Sequence, residues 1–365
     1  MRLLIVEDEV SFIAQIREAV GASGLCIELV TSQDVGLEEK FEVGESHEEQ
    51  LLARVRAAHA RASIDLVLLD SDLSRMPNGI AQSMCRQAFQ EIGLPVCRYK
   101  KRHSTTRARD LQDLRRTARE GASAVWVPSD LVQQANLADK LMPWLLAIGR
   151  GFSSLRETLR ANAPLLSGSQ GPAGILAVAL KHPEAKADFL GYTGQNFFFF
   201  GSPAGEDEED PSVSPPVEVL STQLGYWLFN YILRFPGPIL SPGAAAAYLN
   251  VRAETVCVSP VKELIAPARY SGPFCSVDDF YWREGLASLL DEHAGDIANA
   301  APLSAVDLTR IDPRNPGSSA YYCVLTHTPI ASADAAPNPD WIPPGAQLAR
   351  IQSTLYEQLG PMLSI

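Results

Sequence analysis

Short apolar runs alternate with longer amphipathic stretches along the first 150 residues. "RLLIV" (2–6) reads as a short buried strand, and "SFIAQIREAV" carries apolar residues at 12, 13, 16 and 20, which is helical spacing. "CIELV" follows as a second strand. "HEEQLLARVRAAHA" places Leu51, Leu52, Val55 and Ala58 on one helical face. "IDLVLLD" is almost wholly apolar, as a central parallel strand covered on both faces must be. The helix "IAQSMCRQAFQEI", the strand "LPVCRY", the helix "ARDLQDLRRTAREG" closed by Gly121, and the strand "SAVWV" complete the series. A further helix is expected from the N-cap candidate Ser129. Five β/α units in succession predict a doubly wound parallel sheet, with its site at the carboxyl ends of the strands. The acidic segment "TSQDVGLEEKFEVGESHEEQ" (31–50) breaks the rhythm and reads as a solvated insertion.

Beyond residue 150 the alternation stops, and Pro and Gly become frequent. Two short strands are expected around Thr193-Gly194, an acidic Pro/Ser-rich loop at 205–216, and helices over "STQLGYWLFNYILRF", "VDDFYWREGLASLLDEH" and "GAQLARIQSTLYEQLGPML". "AYYCVLTH" reads as a strand. The pattern predicts two domains, 1–150 of α/β type and 151–365 of α+β type.

The formal net charge of −12 argues against non-specific binding to nucleic acid or an anionic membrane. No charged-then-apolar leader opens the chain, and no run approaches ~20 apolar residues, so neither secretion nor a membrane span is expected. Six scattered cysteines read as reduced thiols of a cytoplasmic protein.

The first strand ends in three consecutive acids, Glu7, Asp8 and Glu9. Two unit charges 4 Å apart repel by roughly 4 kcal/mol at an effective dielectric near 20. Either the acids face water, or a cation sits among them. Glu7 and Asp8 could also simply open the first helix, where acids are favoured.

"LLIVEDE", "IDLVLLDSDLS", "LPV" and "GASAVWVP", taken together, resemble the receiver domain of two-component response regulators. The resemblance implies a five-stranded, flavodoxin-like fold over the first 130 to 150 residues. It implies that Glu7 and Asp8 hold Mg²⁺ and that Asp70 is the phosphoacceptor and a further metal ligand. Asp72 would complete the metal shell through its backbone carbonyl. Such a site is chemically coherent, since Mg²⁺ takes a few carboxylates plus waters and bridges phosphate oxygens. The resemblance also implies a Ser or Thr after strand four and a Lys after strand five. Lys100 and Pro128 stand there instead. Lys100 could supply the missing positive charge to Asp70; its neighbour Lys101 could do the same, and both could equally be solvated members of the basic run "RYKKRHSTTRARD".

These departures predict a degenerate receiver in a signalling or adaptor protein, acting through a protein partner such as a histidine kinase or another signalling protein. The alternative is a phosphorylation-competent regulator whose second domain is an enzyme or binds DNA. "LSPGAAAAYLNVRAETV" resembles the first half of an excisionase-type helix-turn-helix, but Arg252 is its only base, so core packing is the favoured reading and DNA an unfavoured partner. Cys323 and His327, with Cys257 and Cys275, have a weak zinc-like pattern, and Cys323 or Cys275 with His293 or His327 a thin nucleophile pattern.

Overall fold

The computed structural model describes residues 1–101, 106–162, 171–193, 216–306 and 308–363. They form two units. The first comprises Met1–Ser104, Glu120–Ser169 and Ser202–Tyr226, and the second Thr105–Arg119, Gln170–Gly201 and Trp227–Ile365. Neither is a continuous stretch, so this division differs from a cut at residue 150.

The first unit is built on β1 (Arg2–Val6), β2 (Glu28–Thr31), β3 (Leu66–Asp70), β4 (Val96–Tyr99) and β5 (Val125–Trp126). All pairings are parallel, in the order β2-β1-β3-β4-β5. The central strands are buried almost throughout, which explains why β3 reads as an unbroken apolar run. On one face Leu4, Val6, Val67 and Leu69 pack with Leu51, Val55 and Ala58 of α2 (His47–Ala62) and Cys85, Ala88 and Phe89 of α3 (Gln82–Glu91). On the other side lie α1 (Val10–Ser23), burying Phe12, Ile16 and Ala19, and a long helix, Met142–Ala161. Gly149 of that helix lies against the Met1 side chain at the start of β1: a Cβ there would fall 2.5 Å from the Met1 sulfur, which would have to shift.

Three expectations need correction here. The 31–50 segment is not simply solvated: Val35 and Leu37 are buried in the core, where apolar side chains outweigh the acidic composition around them. The expected helix start at Ser129 is absent. Residues there form turns, then a 3₁₀ turn (Gln134–Asn136) and a π-helical turn (Leu137–Leu141) that runs into Met142–Ala161. The helix Arg107–Glu120, expected as part of the first domain, falls in the second unit through Arg119.

In the second unit β8 (Tyr321–Cys323), β9 (Thr328–Ile330), β10 (Ala335–Ala336) and β11 (Ala349–Gln352) make a mixed sheet of order β10-β11-β8-β9. A separate antiparallel pair joins β6 (Ile239–Leu240) to β7 (Tyr281–Trp282). The helix Pro242–Tyr248, capped by Ser241, buries Ala244 to Ala247 completely. That is the packing role, and Arg252 beside it is exposed. Lys186–Leu190 is helical, where a strand is expected. The other expected strand partner and the acidic loop lie mostly outside the described residues. Among the described helices none is long and apolar enough to cross a membrane.

Candidate cation centre

Strand order reverses at β1, between β2 and β3, and the carboxyl ends of β1 and β3 open there side by side. Glu7 and Asp8 follow β1, and Asp70 is the last residue of β3, in register with Tyr99 of β4. Three carboxylates therefore converge: ligand oxygens of Glu7, Asp8 and Asp70 all lie within 4.8 Å of one another. Glu7 and Asp70 are buried, at 1% and 5% exposure. Burying two carboxylates together requires compensation.

Lys101 supplies it. Its ammonium lies 3.0 Å from Glu7, 2.7 Å from Glu9 and 3.6 Å from Asp70, and 4.7 Å above the Phe12 ring. The Tyr99 hydroxyl donates to Glu7, and the backbone N–H of Glu9 donates to the same carboxylate at 2.8 Å. The Asp8 carboxylate accepts the Arg75 N–H at 2.7 Å, which ties it to the loop after β3. Asp70 accepts the Asp72 N–H at 3.1 Å.

Burial raises the Asp70 carboxyl to about 6, with the neighbouring Glu7 adding to the rise and the Asp72 N–H opposing it. Burial, followed by the Glu7 charge, also drives the Tyr99 phenol far above its ordinary range. Burial works against the charge of Lys101, yet its hydrogen bonds to Glu9 and Glu7 outweigh this and leave it more basic than usual. The hydrogen bond from Lys101 in turn holds Glu9 below the usual carboxylate range.

Glu7, Asp8 and Asp70 are thus brought together. Asp72 stands beside them, but its carboxylate turns to Ser74, whose side chain and then N–H, at 3.1 Å, hold it below the usual carboxylate range. Lys100 requires correction. It is exposed, and the cation that meets Asp70 is its neighbour Lys101. Tyr99, the last residue of β4, and Lys101, two residues on, both reach Glu7, while Lys100 between them is exposed. Pro128, after β5, is exposed and offers neither charge nor N–H. Glu9, the third of the consecutive acids, meets a cation as its neighbours do, whereas nothing in the apolar pattern of β4 singles out Tyr99.

The donor set is all oxygen, of the kind a hard divalent cation takes. The cysteines assemble no site: all six are free, and neither group of convergent donors among the described residues contains one. The Tyr322 hydroxyl, not a thiol, lies 3.0 Å from Nδ1 of His327. The second group, His182, Glu184 and Glu284, is half-buried to exposed, with the His182 ring tilted against Trp282, centroids 3.9 Å apart. No protein-family model, curated protein or solved structure matches this chain.

Proposed function

We propose that the first unit is a receiver-like module of the flavodoxin-like, doubly wound type, in a signalling or adaptor protein that works through contact with another protein. The observation that carries this reading is the Lys101 ammonium set among Glu7, Glu9 and Asp70, in a centre whose β5 end presents Pro128. A phosphoryl group on Asp70 would need the space beside that carboxylate and a hydroxyl and a second cation to hold its charge. Here the nearby cation is already committed to two other carboxylates. Mg²⁺, held by Glu7, Asp8 and Asp70 with the Asp72 carbonyl, would offset the acids' repulsion. The basic stretch after β4 fits an acidic protein partner better than DNA, given the net charge of −12.

The test is beryllofluoride with Mg²⁺, followed by ¹⁹F NMR on the whole chain. No slow-exchanging adduct at Asp70 is expected. A stoichiometric adduct, lost in Asp70→Asn, would favour the phosphorylation-competent alternative and overturn the degenerate reading.

A further inference from the structure

The acidic centre already holds a cation, and that cation belongs to the chain. Lys101 reaches the buried Glu7 at 3.0 Å and Asp70 at 3.6 Å, with its side chain 30% exposed. It also has a resting place outside the convergent acids. Glu9, 44% exposed, holds the same ammonium at 2.7 Å and is not one of the three convergent donors. The Phe12 face lies along the same path, at 4.7 Å. A small divalent ion would sit about 2.0–2.6 Å from the oxygens it takes. An ammonium 3.0 Å and 3.6 Å from those same two carboxylates would then crowd a dication in a site sheltered from solvent. Both cations cannot hold the pair at once.

We propose that Lys101 is the resident cation of this centre, and that it and a divalent metal exclude one another at Glu7 and Asp70. Metal entry moves the ammonium outward onto Glu9, which releases the contact fixing the end of β4. This rests on the proposed function only in taking the acids as a cation site, and it does not depend on whether Asp70 accepts a phosphoryl mimic.

The experiment is Mn²⁺ titration of the full chain, read by electron paramagnetic resonance without any phosphoryl donor, for wild type and Lys101→Met. Removing a like charge next to the ion should tighten binding by about tenfold or more. On wild type, amine acylation read by mass spectrometry gives a second measure. Saturating Mn²⁺ should raise labelling of Lys101 several-fold and leave the exposed Lys100 unchanged. If Lys101→Met does not fold, the labelling decides alone. Equal Mn²⁺ affinity in the two proteins, unchanged labelling of Lys101, or no Mn²⁺ binding by either protein would each overturn the exclusion. A beryllofluoride adduct at Asp70 would instead overturn the proposed function and leave the exclusion standing.

Discussion

Asp70 closes a strand whose five residues are all buried, so its charge is held against the local environment. Its carboxyl titrates at about 6 in the folded chain, against 3.8 for an unperturbed aspartate. A raised acid means that the folded state binds the proton more tightly than the unfolded state. Stability from this group is therefore present below about pH 3.8 and is lost as pH rises through about 6. The shift corresponds to about 3 kcal/mol at most. Asp70→Asn keeps the shape and removes the charge. It should be more stable than wild type by about 1–3 kcal/mol above pH 7 in metal-free buffer, with the gap closing toward pH 4. Urea unfolding of both proteins across that range checks this, and a gap independent of pH would refute it. The acids themselves were legible in the sequence, because three carboxylates at a strand end demand an explanation. The identity of the lysine was not. Lys100 and Lys101 differ by one position just past the end of β4, and the apolar pattern of the strand does not say which of them meets the acids beside Tyr99.

The elements of the first unit were legible wherever burial imposes one period: five strands and the helices between them follow the apolar spacing. Elements failed where one segment carries two periods. "GAQLARIQSTLYEQLGPML" reads as one helix, yet Ala349 and Ile351 are buried while Arg350 and Gln352 are half-buried, which is strand alternation, and the helix starts only at Ser353. "DFYWREGL" splits likewise into β7 and a helix from Arg283. Element length matters as well. β5 has two residues and pairs only with Cys97 and Arg98 of β4. The N–H of Val96, one residue earlier, donates instead to the Tyr226 hydroxyl at 2.7 Å. Tyr226 ends the helix Val217–Trp227 within the first unit, and Thr222 of that helix donates to the Gly93 carbonyl at 2.6 Å. Tyr226→Phe leaves a buried backbone donor without its acceptor, which costs about 1–3 kcal/mol. Chemical denaturation should show that loss, together with faster amide exchange at Val96. Unchanged exchange there would show that the phenol is dispensable to the strand.

On the scale of the whole molecule, the change of texture near residue 150 marks a real shift in composition but not the end of a folding unit. Composition reports where strand–helix alternation stops; it does not report which distant segment completes the first core. Part of that completion comes from later residues, in the segments 151–169 and 202–226. Phe152, Leu155 and Leu159 are buried to 1% or less, and Tyr226 packs edge-on against Phe152 with ring centroids 5.3 Å apart. Gly225 is required beside them, since a Cβ there would fall 2.4 Å from the Phe152 ring. A fragment spanning 1–150 loses all of these. It also carries Leu111, Leu114 and Ala118, buried residues of a segment that belongs to the second unit. Each large apolar side chain contributes about 1.5–3 kcal/mol on burial, so four of them approach the whole stability of an ordinary domain, about 5–15 kcal/mol. The 1–150 fragment should therefore melt without cooperativity, bind a hydrophobic dye and lose its near-ultraviolet circular dichroism, while the full chain does none of these at the same temperature. A sharp melt of the fragment within a few degrees of the first transition of the full chain would show that residues 1–150 suffice, and that the later segments only decorate a core already complete.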